Sequence, residues 1–155
     1  SNNIFLLKKL IRKYWQLSPN YLVRAIITEI IINNKLGELA FINQIIKNNI
    51  ANEESKKMLI FFAIKNQAWN VARTNISGLI GANPSGEICL FMADIELGEN
   101  NDKQKSDSWI LRSENVMTDN TWICKITNQP QEDWNSLSDS GYFNSLVLNN
   151  LKMIE

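Results

Sequence analysis

Over the first eighty residues, large apolar side chains return every three or four positions, the spacing of helices that bury one face. Ile4, Leu7, Ile11 and Tyr14 with Trp15 mark the buried side of a first helix, and Lys8, Lys9, Arg12 and Lys13 gather towards its surface. Ser18-Pro19 reads as an N-cap followed by proline at the first helical position. Leu22, Ile26 and Ile30 then carry a second helix to a stop near Leu36-Gly37. A third, short helix holds Leu39, Ile42, Ile45 and Ile46. Asn52 ahead of Glu53 and Glu54 is a further cap signal, with the acids in the favourable first turn. Met58 to Ile64 is so apolar that its helix should be central. Trp69, Ala72, Ile76, Leu79 and Ile80 line a fifth helix that ends at Gly81, with Asn83-Pro84 as the breaker.

After Pro84 the period changes to two. Over residues 87–97, Cys89, Phe91, Ala93, Ile95 and Leu97 alternate with Ile88, Leu90 and Met92, as in a strand whose middle is apolar on both faces. Residues 108–113 alternate Trp109 and Leu111 with Ser108 and Arg112, beyond a polar loop from Gly98 to Asp107. Residues 121–127 alternate Trp122, Cys124 and Ile126 with Thr121, Lys125 and Thr127. The pattern predicts an α+β domain spanning 1–155. Its parts are about five helices in a helical subregion 1–82, a three-stranded antiparallel β-meander in a strand-rich subregion 86–128, and a closing helix over 140–155 with Phe143, Leu146, Val147, Leu151 and Ile154 as its stripe. Ala68 to Pro84 resembles the second helix of a HEAT-type repeat, with an apolar face, Arg73 midway, then Gly81 and a proline. The resemblance covers that one helix, and the strands expected after it depart from the architecture, so no function is carried over.

Composition narrows the chemistry. The chain has 155 residues and no histidine, which removes Ser-His-Asp and Cys-His nucleophilic catalysis, histidine metal sites and histidine pH switches together. Two cysteines, Cys89 and Cys124, are too few for a disulfide scaffold or a structural zinc site; they form one bridge or stay as two buried thiols, and their place in apolar runs favours the thiols. No run reaches the roughly 18 apolar residues of a membrane span; the densest, Leu22 to Ile32, is broken by Arg24, Thr28 and Glu29. The start Ser1-Asn2-Asn3 lacks methionine and reads as part of a longer protein. The 22 asparagines and 21 isoleucines are interspersed with one another, so they suggest an A/T-rich genome and not a prion-like tract. No glycine-rich phosphate loop is present.

Three constellations merit weighing as sites. Lys8, Lys9, Arg12 and Lys13 beside Trp15 form a basic helix face that suits an acidic protein partner or an anionic membrane surface, against the simpler alternative of a solvated helix side. Trp134, among Glu132, Asp133 and Asn135, is an aromatic in a polar segment, either folded back or exposed for recognition. Asp94 and Glu96, at i and i+2 on the expected strand, would point to one face and could hold a divalent metal as an acidic pair. A lysine two positions beyond the Glu would strengthen a nuclease reading, but Gly98 stands there.

Charge is uneven, with seven Lys/Arg against two acids over 1–50 and nine against fourteen over 51–155. The missing histidine, the missing cofactor loop and this asymmetry predict a non-catalytic protein-interaction domain within a larger protein, needing no cofactor and taking a protein partner of acidic character. A metal-dependent enzyme using the Asp94/Glu96 pair is the alternative. A pI near 6.3 and the acidic second half argue against nucleic acid. The default compartment is the cytoplasm.

Overall fold

The computed structural model describes residues 2–119, with side chains through 116. Among the described residues seven helices follow one another: α1 (Asn2–Leu17), α2 (Tyr21–Asn33), α3 (Leu39–Ile46), α4 (Glu53–Lys65), α5 (Trp69–Ile80), α6 (Gly86–Asn100) and α7 (Lys103–Asp119). No strand occurs among the described residues, which overturns the α+β expectation. The segments 87–97 and 108–113, expected as the first two strands of the meander, lie inside α6 and α7. The third expected strand at 121–127, the closing helix at 140–155, Cys124 and Trp134 lie outside the described residues.

Capping explains why α6 is a helix. Ser85 is extended and its Oγ accepts from the Ile88 amide at 3.3 Å, satisfying one of the orphan donors of a first turn. Glu87 adds a favourable charge there. At the far end Asn101 turns left-handed (φ 53°), its amide donating to the Leu97 carbonyl at 3.0 Å, and the next residue, Asp102, already caps α7. The Asp102 carboxylate accepts from the Lys105 amide at 3.0 Å. The expected polar loop from Gly98 to Asp107 is therefore a two-residue joint, Asn101-Asp102. Ile88 through Ala93, with Ile95 and Glu96, are all buried, so α6 is covered nearly all round. An apolar run without a polar side shows no helical period, and its chance alternation imitates a strand.

The earlier helices stand where the spacing puts them, with shifted ends. The cap of α2 is Asn20, whose side chain accepts from the Val23 amide at 3.0 Å, two residues beyond the expected Ser18-Pro19 start. The stop of α2 is carried by Lys35 (φ 55°), with Lys35 N–H donating to Ile32 and Leu36 N–H to Ile31. This double-bonded C-terminal motif ordinarily uses glycine at the left-handed position. Gly37 serves packing instead: a Cβ there would lie 3.1 Å from the Phe62 ring. Gln67 (φ 57°) ends α4 in the same way, and Gly81 (φ 58°) follows α5 as expected.

By compactness the chain divides into two units, Ser1–Asn75 and Ile76–Glu155, with the division inside α5. Within the first, α1 packs on α2 and α3, and α4 on α2 and α3. Met58 to Ala63 are all buried, which makes α4 the central helix that its composition predicts. Within the second, α6 and α7 form a closely packed pair. Ser106 and Ser113, seven residues apart and so on one side of α7, are both buried.

Candidate functional site

The start of α4 holds α1 in place. Trp15 is fully buried, and its indole Nε1 donates to Ser55 Oγ at 2.9 Å, forty residues along the chain. Asn52 caps α4 by accepting from the Glu54 and Ser55 amides at 2.8 and 3.2 Å, while its Nδ2 donates to the Pro19 carbonyl at 3.4 Å. Glu54 pairs with the fully buried Arg24 of α2, Nε to Oε2 at 2.5 Å. Lys57 adds contacts to Glu53 and Glu54 at 3.2 and 3.6 Å. Buried ion pairs add little net stability when whole and cost much when broken, so this cluster fixes geometry more than it adds energy.

The candidate basic face does not survive as one surface. Lys8 is half-buried and lies over the Phe41 ring at 5.1 Å, and Arg12 donates to Gln44 Oε1 at 3.4 Å, so both turn towards α3. Trp15 is in the core and out of a partner's reach. Lys9 and Lys13 are left in the open.

Beside them stands a feature that the sequence reading missed. Leu6, Leu10, Tyr14 and Leu17 are 54%, 48%, 59% and 69% exposed, and Phe5 is 65% exposed. At about 100° per residue, Leu6, Leu10 and Leu17 fall within roughly 40° of one another around α1, with Lys13 and Lys9 adjoining on one side and Tyr14 on the other. The helical spacing places Tyr14 on the core side, yet its ring is in the open. The core side of α1 consists of Ile11 and Trp15, with Ile4 and Leu7 half-buried. The helix thus has a second apolar row, readable in the sequence as Leu6, Leu10 and Leu17 once Trp15 is known to point inward.

The acidic pair loses its geometric basis. On α6 residues two apart point about 200° from each other, so Asp94 and Glu96 do not share a face. Glu96 is buried and accepts from Asn100 Nδ2 at 3.3 Å. Among the described residues no group of three or more Asp, Glu or Cys is placed to hold a metal ion. Cys89 is a buried free thiol, and burial pushes its pKa upward, with the Arg112 charge acting weakly the other way. That is the opposite of what a nucleophilic thiolate needs. No described helix is long and apolar enough to cross a membrane. No protein-family model, curated protein or solved structure matches the chain.

Proposed function

We propose that the chain is a protein-interaction domain that docks an acidic partner helix along the outer face of α1. The observation that carries this reading is the exposed row Leu6, Leu10 and Leu17 with Lys9 and Lys13 alongside, on a helix whose other side is already anchored. Contiguous exposed apolar side chains on a well-packed helix mark a place where another surface is buried. An amphipathic partner helix meets such a row through its own anchors at i, i+3, i+4 and i+7. The two lysines contribute steering and choice of partner more than affinity. An anionic membrane would also accept cations beside an apolar face, but at about 1 kcal/mol for each cation near the surface two free lysines hold a helix there weakly.

The test compares the wild-type chain with Leu6→Ser/Leu10→Ser and with Lys9→Glu/Lys13→Glu as bait in source-cell lysate at low and moderate salt. A partner that wild type captures and both variants lose, at unchanged thermal stability, supports the reading. A partner retained by both variants rules out α1. Co-sedimentation of the chain with vesicles rich in anionic lipid, lost in the same variants, would transfer the surface to a membrane.

A further inference from the structure

Charge divides along the same line as compactness. Residues 1–75 carry eleven Lys/Arg against four Asp/Glu, and residues 76–155 carry five against twelve, which is +7 against −7. The second unit also exposes two leucines among its described residues, Leu97 and Leu111, at 43% and 59%. Each has acids one helical turn away: Asp94 three residues before Leu97, Asp107 four before Leu111 and Glu114 three after it. On α7, Asp107 and Glu114 fall to one side of Leu111, as Lys9 and Lys13 fall to one side of Leu10 on α1. One exposed helix face thus carries leucines beside lysines, and another carries an exposed leucine beside two carboxylates, one of them half-buried, with Lys103 on the same side. Lys103 reaches Asp107 at 3.8 Å, but both side chains are more than half exposed, and such pairs contribute little and exchange readily.

We infer that a second copy of this chain supplies an acidic partner surface, the α1 face of one copy docking on the Asp107–Leu111–Glu114 face of α7 in another. This rests on the reading of α1 as a docking helix and goes further by naming an occupant. α1 against α1 would set lysines against lysines, whereas α1 against α7 pairs unlike charges around apolar anchors. The contact joins two different patches, so it is not self-complementary and assembly can continue beyond two. One helix against another buries little area, so the association is weak and dependent on concentration.

Sedimentation equilibrium of the full chain tests this. At 20 mM salt the weight-average mass is expected to rise above 17.8 kDa with concentration and to return to 17.8 kDa at 1 M salt, where screening acts over about 3 Å. Lys9→Glu/Lys13→Glu and Asp107→Lys/Glu114→Lys should each remain at the monomer mass alone. An equimolar mixture of the two should associate, since every α1 then meets an α7 of opposite sign. Circular dichroism and thermal unfolding check that both variants fold, and Leu10→Ser, which changes no charge, should also abolish association.

A wild-type mass of 17.8 kDa at every concentration and salt overturns self-docking. If α1 still captures a lysate partner in that case, the docking reading stands and only its occupant is wrong. A mixture of reversed variants that remains monomeric, or association that survives Leu10→Ser, overturns the pairing of α1 with α7.

Discussion

α1 carries nine large apolar residues and α6 six, and the two helices use them in opposite ways. α6 buries Ile88 through Ala93 on every side and exposes one large apolar side chain, Leu97, near its end. α1 buries Ile11 and Trp15 and leaves Phe5, Leu6, Leu10, Tyr14 and Leu17 in the open. Apolar content therefore does not indicate how much of a helix is core. What decides is whether a helix is covered on all its sides or left uncovered on one, and uncovered apolar side chains are where function is best sought.

The contrast breaks first at the largest side chains. Phe91→Ala on α6 should cost about 3–5 kcal/mol in denaturant unfolding, and Trp15→Ala on α1 a similar amount, because each empties a filled site. Leu10→Ser, five residues from Trp15 on the same helix, should change stability by less than about 0.5 kcal/mol while removing association. A loss at Leu10 as large as that at Trp15 would show that the outer face of α1 is covered and would remove its docking role.

The attachments come next. Glu54→Ala should cost about 3 kcal/mol, since it leaves the buried Arg24 guanidinium without its carboxylate. Arg24 and Glu54 replaced together by apolar residues of similar volume should recover much of that loss. A smaller effect is expected at the caps: Ser85→Ala at α6 and Asp102→Ala at α7 should each cost about 1 kcal/mol. Were 87–97 a strand, Ser85→Ala would have almost no effect, so this modest change separates the two descriptions of the segment.

The smallest effect belongs to Cys89. Its folded pKa is raised, so over the range between the ordinary thiol value and the folded one the unfolded chain has lost a proton that the folded chain keeps. Stability from this group is therefore complete below about pH 8.5 and declines as pH rises above it. Cys89→Ala should flatten the fall in stability between about pH 8 and 10, read by chemical denaturation at successive pH values. A thiol reagent should label Cys89 in the native chain far more slowly than in denaturant.

The helices of the first unit are legible because most have a polar side to set the period, and α4, buried all round over Met58 to Ala63, is announced by its Asn52 cap and the acids of its first turn. Asn52 caps α4 as expected, and Met58 to Ala63 are central. α6 imitates a strand because a helix buried all round has no polar side, yet its sequence holds signals of a different kind. Ser85 stands three residues before Ile88, and fifteen residues rich in Leu, Met, Ala and Glu are long for a strand and favourable for a helix. The site was half legible. Four cations within six residues drew attention to α1, but which of them are spent on Phe41 and Gln44 depends on α3, a partner that no local pattern reveals.

Lys35, Gln67 and Asn101 each end a helix in the left-handed region that an L side chain enters at a cost of about 1–2 kcal/mol. All three are exposed, so their side chains are not held there by packing. Glycine at Lys35 or Gln67 would relieve the strain at the expense of some chain entropy, for a net gain of a few tenths to about 1 kcal/mol. The molecule thus holds unused thermal tolerance at its helix exits, where a single codon change can raise its melting temperature without altering the core or the outer face of α1. A lineage moving to warmer conditions has that route open before it must repack anything.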